Sequence, residues 1–302
     1  MINQQLILLL SLAICWGPTF FFNKMAVAEI PILTVIAIRI GLATAFLLPL
    51  SLLNGLKFQI KRQQLFHLIV MSWIALIFPF FFYAAGAMHI PVGVGTMVNG
   101  TMPFFTAILA HFFLANEKIN KYQIVGMCCG VIGLASLSYP SLSQNAHAGV
   151  LGLTMVCCAA MSNAAGMVYA RRFLTGIPAL VSANLQLTFG TLFILPIALI
   201  MDQPWNWTSM PSTTALLCSS LSAILGTALA YRIYFHLIQP AGATYLSLVT
   251  YIMPLIGTLM GVFFLGEELS KEFLLGSTCV LTGMYIVERA RGMELRKKEI
   301  RV

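Results

Sequence analysis

Leu65 to Met88 reads LFHLIVMSWIALIFPFFFYAAGAM, 24 residues without a formal charge. A helix rises ~1.5 Å per residue, so this stretch is long enough to cross the ~30 Å hydrocarbon core of a bilayer. An outer-membrane barrel strand would alternate apolar and polar residues. The run Ile74 to Phe82 does not alternate, and neither does Leu6 to Ala13. Segments like it recur along the whole chain. The expected spans are 6–25, 32–53, 65–88, 92–115, 121–139, 149–170, 178–201, 213–238, 241–265 and 272–290. Polar or Pro-rich breaks separate them, such as Lys57 to Gln64, Tyr139 to Gly149 and Asp202 to Pro211. Gly17-Pro18 interrupts the first span.

Composition supports the same reading. Of 302 residues, 59% are hydrophobic and 9% charged, against roughly 25% charged in a soluble domain. A large soluble enzyme, a disordered chain and a single-span receptor are excluded. The fold class is all-α integral membrane. Seven cysteines lie inside apolar segments and form neither a disulfide framework nor a metal-ligand pattern. Met1 to Gln5 lacks a basic n-region, so the first segment is expected to be a retained helix.

Charge placement sets an expected orientation. With the N-terminus in the cytoplasm, 13 of the 17 Lys and Arg residues fall on that side, and only Lys24 and Lys271 fall outside. Arg39 and Arg232 lie within spans. Ten spans with both termini inside follow. The net charge of +8 therefore reads as topology signal, with the basic tail 291–302 as an anchor and no nucleic-acid site. Trp205 and Trp207 fit an interfacial belt on the outer side.

The two halves repeat. Pro31, Arg39 and Pro49 match Pro178, Gln186 and Pro196 at an offset of 147 residues. Pro91 matches Pro240 at 149, Met102-Pro103 matches Met253-Pro254 at 151, and Glu117, Gly126, Cys129 and Gly133 match Glu267, Gly276, Cys279 and Gly283 at 150. A chain of matches at nearly constant offset indicates duplication. Each half holds five spans, an odd number, so the halves would enter the membrane in opposite directions. Inverted repeats are a recurrent device of secondary transporters. The expected organisation is a first repeat over 1–139, an outer linker over 140–148, a second repeat over 149–290 and the basic tail.

Cys15-Trp16-Gly17, the Pro31…Arg39 segment, and the paired Pro103…Asn116-Glu117…Gly126…Gly133 and Pro254…Gly266-Glu267…Gly276…Gly283 segments resemble the ten-helix EamA-type branch of the drug/metabolite transporter superfamily. The resemblance covers essentially the whole chain. It implies a 5+5 inverted repeat around a central cavity lined mainly by spans 1, 3, 4, 6, 8 and 9. It also implies transport of small metabolites such as amino acids and their derivatives. Asn163 stands in the second half where Trp16 stands in the first, so the cavity chemistry is asymmetric.

Every acidic residue lies outside the apolar cores, which disfavours a buried carboxylate as proton relay. Arg232 lies about two turns inside span eight with no acidic partner at that depth. Two readings stand: it holds an anionic substrate group such as a carboxylate, or it snorkels to the interface. Arg39 is expected to serve the scaffold between the repeats. Trp16, Tyr83, Asn99, Asn163, Tyr231, Thr250 and Tyr251 sit near mid-span and could line the cavity, although each also suits an interhelical contact. Pro79, Pro103 and Pro254 interrupt spans and are candidate hinges. Gly126-x3-Gly130 and Gly257-x3-Gly261 allow close helix approach.

No lysine follows a glycine, so there is no Walker A motif; there is no His-Glu-x-x-His, and Asp202 is the sole Asp. Enzyme classes and cofactors drop out. The expectation is an alternating-access carrier, secondary-active or facilitative, an exporter in the cell membrane. It would act as a monomer on amino acids or related carboxylates. The alternatives are a broad drug or organic-cation exporter and a non-transporting scaffold or sensor.

Overall fold

A computed structural model describes residues 2–115, 118–144, 146–207 and 210–266, with scattered positions between 271 and 289. All regular structure among them is helical. Fourteen α-helices follow in chain order: α1 (Ile2–Trp16), α2 (Thr19–Val27), α3 (Ile32–Leu53), α4 (Arg62–Ser72), α5 (Phe78–Ala87), α6 (Val92–Asn99), α7 (Met102–Phe113), α8 (Lys121–Gln144), α9 (Ala146–Phe173), α10 (Ala179–Asp202), α11 (Thr213–Ala223), α12 (Ala230–Ala241), α13 (Ala243–Ser247) and α14 (Val249–Leu265). Two π turns, Trp73–Ile77 and Ile224–Leu229, join α4 to α5 and α11 to α12.

Combined across their interruptions, these elements give eight helices long and apolar enough to cross a membrane, the first at Gln4–Val27 and the last at Ala243–Leu265. Most of the tenth expected span, the basic tail, and Asn116, Glu117 and Glu267 lie outside the described residues. The break expected over 140–148 is narrower than the polar composition suggests. The α8 helix runs to Gln144 and α9 starts at Ala146, because the first glycine after Pro140 is Gly149 and nothing between them forbids helix.

Proline sets several helix starts. Pro31, Pro91 and Pro178 each sit at an N-cap with extended ψ of 145°, 152° and 137°, and each bars continuation of a preceding helix. Pro240 differs from its repeat partner Pro91 by lying inside α12, where Gly242 (φ 89°) makes the break instead. A positive φ of this kind favours glycine.

The spans on the cavity side are the broken ones. Span one divides at Gly17-Pro18, span four at Gly100-Thr101 and span nine at Leu248. Pro79 follows the first π turn and Pro103 opens α7; Pro254 lies within α14. Proline removes an N–H and clashes with the carbonyl four residues earlier, so Pro79 pushes the Ala75 carbonyl out of the helical ladder. The second π turn has no proline, and Gly226 lies within it.

The α3 and α10 helices, repeat partners, pack side by side. Gly41 faces Thr191 and Gly190 faces Leu76 and Ile40. Thr44 and Thr191, separated by 147 residues, share a hydrogen bond of 2.8 Å. Two equivalent residues meet each other only near the axis that relates the repeats. The glycine ridge Gly126-x3-Gly130 packs against Gly283, and Gly257 packs against Thr96. Ile7, Ile14, Phe66, Phe112, Leu192 and Phe263 are exposed, as an outer face bathed by lipid requires.

Candidate functional site

The broken spans surround a cavity between the two halves. Side chains from both halves line it, including Trp16, Arg39, Tyr83, Asn99, Asn163, Tyr231, Tyr234 and Thr250. Six residues expected from the sequence therefore meet in one place: Trp16, Tyr83, Asn99, Asn163, Tyr231 and Thr250. Tyr251 belongs to α14, but its side chain lies outside the described set. Of the candidate hinges, Pro79, Pro103 and Pro254 lie beside cavity residues Phe80, Met102 and Met253.

Arg232 requires a correction. It is exposed and absent from the cavity lining. Its depth along α12 is as expected, but its face is not. Tyr231, Tyr234, Phe235 and Ile238 form the buried stripe, whereas Arg232, His236 and Gln239 follow at i, i+4 and i+7 on the other face. An outward Arg in a membrane helix extends its apolar stem and carries the guanidinium toward the headgroups. The same helical spacing could have found Tyr234, three residues after Tyr231, which the sequence reading missed. It also missed Phe20, Asn23, Thr96 and Met167, because small polar and apolar lining carries no mid-span signal.

Arg39 is the charged residue of the cavity. It is 3% exposed. Nε donates to Thr227 Oγ1 at 2.8 Å, Nη1 to Asn23 Oδ1 at 3.3 Å and Nη2 to the Gly226 carbonyl at 3.3 Å. The guanidinium carbon stands 3.8 Å from the Phe80 ring centroid, a cation–π geometry. All three acceptors are neutral. The described carboxylates are Glu29 and Asp202, both engaged elsewhere. A buried cation normally has a counter-ion or a watery cavity. Here the three neutral acceptors and the Phe80 ring face the guanidinium, and the cavity opens beside it.

Opposite chemistry lines another part of the wall. Tyr83 Oη donates to Asn99 Oδ1 and accepts from Asn163 Nδ2 at 3.2 Å. Asn99 Nδ2 in turn approaches Met253 Sδ at 3.6 Å. This relay joins α5, α6, α9 and α14 and fixes the amide orientations. Phe20 meets Tyr83 edge-on at 6.2 Å, and Trp16 lies 6.1 Å from Tyr234. The Tyr234 hydroxyl is buried and has no hydrogen-bond partner. The surface offered to a ligand is thus one guanidinium, several amides and hydroxyls, and aromatic faces. Among the described residues no group of His, Cys, Asp and Glu could hold a metal ion.

Both described carboxylates cap helices across the repeat boundary. Asp202 Oδ2 accepts from Thr34 N and Oγ1 at 2.7 and 2.8 Å. Glu29 accepts from Ser212 N at 2.6 Å and Ser212 Oγ at 2.7 Å. The backbone and hydroxyl bonds from Ser212 hold the Glu29 carboxyl below its ordinary range.

The sequence model of the EamA-like transporter family matches residues 4–139 and again residues 150–289. An uncharacterized transporter, YoaV of Bacillus subtilis, is 22% identical over 280 residues, covering 92% of this chain and 94% of its own. An uncharacterized inner membrane transporter, YedA of Escherichia coli K12, is 26% identical over 264 residues, covering 87% and 83%. Protein PecM of Dickeya dadantii is 28% identical over 228 residues, covering 74% and 73%. A solved crystal structure shares the fold with a TM-score of 0.73 at 16% identity, covering 94% of this chain and 97% of the other.

Proposed function

Because the chain belongs to the EamA-like transporter family, we propose that it is an alternating-access carrier, secondary-active or facilitative, exporting amino acids or related carboxylates. The observation that carries this reading is Arg39: a buried guanidinium on the cavity wall whose hydrogen-bond partners are all neutral. An anion entering the cavity supplies the missing charge, and a carboxylate matches the planar fork. Burial strengthens the attraction, because the local dielectric is far below that of water. The same field repels an organic cation, so the drug-exporter alternative is the weaker one. Arg39 replaces Arg232 as the residue expected to recognise substrate.

The remaining reading concerns movement and placement. Ten spans in two inverted five-helix repeats, with both termini in the cytoplasm, would let the halves exchange conformations around the cavity. The breaks at Gly17-Pro18, Gly100-Thr101 and Leu248 sit beside it, where rocking half-helices need them. The membrane is the inner or plasma membrane, as the name of the YedA relative suggests for that protein. A monomer contains both halves and suffices.

The test is counterflow into liposomes containing purified protein, with labelled alanine, leucine, phenylalanine, lactate and tetraethylammonium. Saturable uptake of an amino acid or lactate is the expected result. Uptake of the cation alone would contradict the carboxylate reading, and no uptake of any kind would favour a non-transporting scaffold.

A further inference from the structure

The two π turns occupy equivalent places in the two halves, and each is capped by the opposite half. In the first turn Ile74 O accepts from Ser162 Oγ at 2.6 Å and Ala75 O from Tyr231 Oη at 2.6 Å, while Met71 O just ahead accepts from Gln186 Nε2 at 3.0 Å. In the second, Gly226 O accepts from Trp16 Nε1 at 3.1 Å and from Arg39 Nη2 at 3.3 Å, and Thr227 Oγ1 accepts from Arg39 Nε at 2.8 Å. A π turn leaves backbone groups outside the regular ladder, so these bonds from across the boundary are what complete it. The first turn is held by neutral donors. The second is held by the cation on the cavity wall.

Resting on the carboxylate reading above, we propose that Thr227 and the Gly226 carbonyl form a substrate-released latch. They compete with the substrate carboxylate for the Nε/Nη2 edge of Arg39, and Thr227 thereby tunes substrate affinity. That edge is one of the two through which a guanidinium binds a carboxylate bidentately. Its present acceptors are a hydroxyl and a carbonyl, and the carbonyl is beyond the usual ~3.2 Å limit for N–H···O. A carboxylate makes charge-assisted bonds roughly twice as strong as neutral ones, so it displaces both. Nη1 stays on Asn23, within the same half. The second π turn then loses its charged tie to α3 while Trp16 still holds Gly226.

A second observation points to the same turn. Ser219 and Ser222 are each 1% exposed and their hydroxyls have no partner. Buried hydroxyls are nearly always bonded, so this segment has an arrangement better satisfied than the one seen. Ser72, directly before the first turn, donates to Ile69 O at 2.7 Å. Beside the first turn Gln186 Oε1 is likewise without a partner, but both carbonyls within that turn are bonded, so in this proposal the first turn is the pivot and the second the moving part.

The experiment is counterflow with the best-transported carboxylate of the panel in wild type, Thr227→Val, Thr227→Ser and Ser162→Ala. Valine keeps the shape and removes the competing acceptor, along with the hydroxyl's own bond to Ser222 O at 2.9 Å, so KM should fall roughly 2- to 10-fold, the scale of one neutral hydrogen bond. Thr227→Ser and Ser162→Ala should keep the wild-type KM. An unchanged or raised KM in Thr227→Val overturns the latch while leaving the carboxylate reading intact. No carboxylate transport by wild type overturns both. Should Thr227→Val fail to insert, hydrogen exchange of wild type with and without that carboxylate decides. Faster exchange over 224–231 with no change over 73–79 supports the latch, and any other pattern overturns it.

Discussion

The third span of the first half and the eighth span of the second half have the same backbone device and different chemistry. Each is broken by a π turn that presses on the broken or matching helix of the opposite half. In one contact the small residue is Gly226, facing Thr19; in the other it is Gly166, facing Ala75. Thr19 and Gly166 are 147 residues apart, so the glycine has changed sides between two equivalent contacts. The cap has changed too. Arg39 serves the second turn, and its counterpart Gln186, fully buried, serves the first. Duplication thus preserved where the halves touch, while divergence placed Arg39, the one buried charge among the described residues, in one of them. In the proposed function a symmetric backbone can rock either way, and the asymmetric charge gives it one place to hold substrate.

The largest effect is expected from filling the close contact. Gly226→Val places its branch against Thr19, and Gly166→Val places one against Ala75. Overpacking of this kind costs about 1–3 kcal/mol and wedges apart the two surfaces that must slide. Counterflow should fall to background for Gly226→Val and only in part for Gly166→Val, whose turn is the pivot. Equal loss in the two variants means both turns move. Loss for Gly226→Val alone restricts motion to the second turn and sharpens the comparison.

Next comes Tyr231→Phe, which leaves the buried Ala75 carbonyl without its 2.6 Å donor. An unsatisfied buried acceptor costs about 1–3 kcal/mol, read as a lower Tm of the purified protein. Trp16→Phe is expected to cost less, because Gly226 O keeps the bond from Arg39. A larger drop for Trp16→Phe than for Tyr231→Phe would break the distinction between a neutral and a charged cap.

The smallest effect concerns Glu29, exposed beside Ser212. Its pKa is lowered in the folded protein. Its contribution is therefore complete above the ordinary carboxylate pKa and is lost as pH falls through the lowered value. Glu29→Gln should lower Tm slightly at neutral pH, and the gap to wild type should close in acid. A gap that persists at low pH would mean the contact does not depend on the carboxylate charge.

How much of this was legible in the sequence varied with the kind of signal. Span starts were clear because proline fixes them: the stretch expected over 32–53 is helix Ile32–Leu53. Trp16, Tyr83, Asn99 and Asn163 were legible as cavity residues because polar groups at mid-span have few other places to go. The face of Arg232 was misread because depth was weighed and helical phase was not. Arg39 was read as scaffold between the repeats, and its bonds to Thr227 and Gly226 of the other half fit that reading; its place on the cavity wall needed the fold. Only the fold shows Thr227 and Gly226, 188 and 187 residues away, completing its bonds. The π turns had no sequence signature beyond Pro79, since the second one forms around a glycine with no proline near it.

The central claim is that Arg39, and not Arg232, meets the substrate. The direct measurement is counterflow of the transported amino acid in wild type, Arg39→Gln and Arg232→Gln, with insertion matched by quantitative blotting. Loss of a charge-assisted pair predicts that Arg39→Gln reduces Vmax/KM by roughly 10- to 100-fold, with Arg232→Gln near wild type. Normal transport by Arg39→Gln, or its loss in Arg232→Gln alone, would contradict the account.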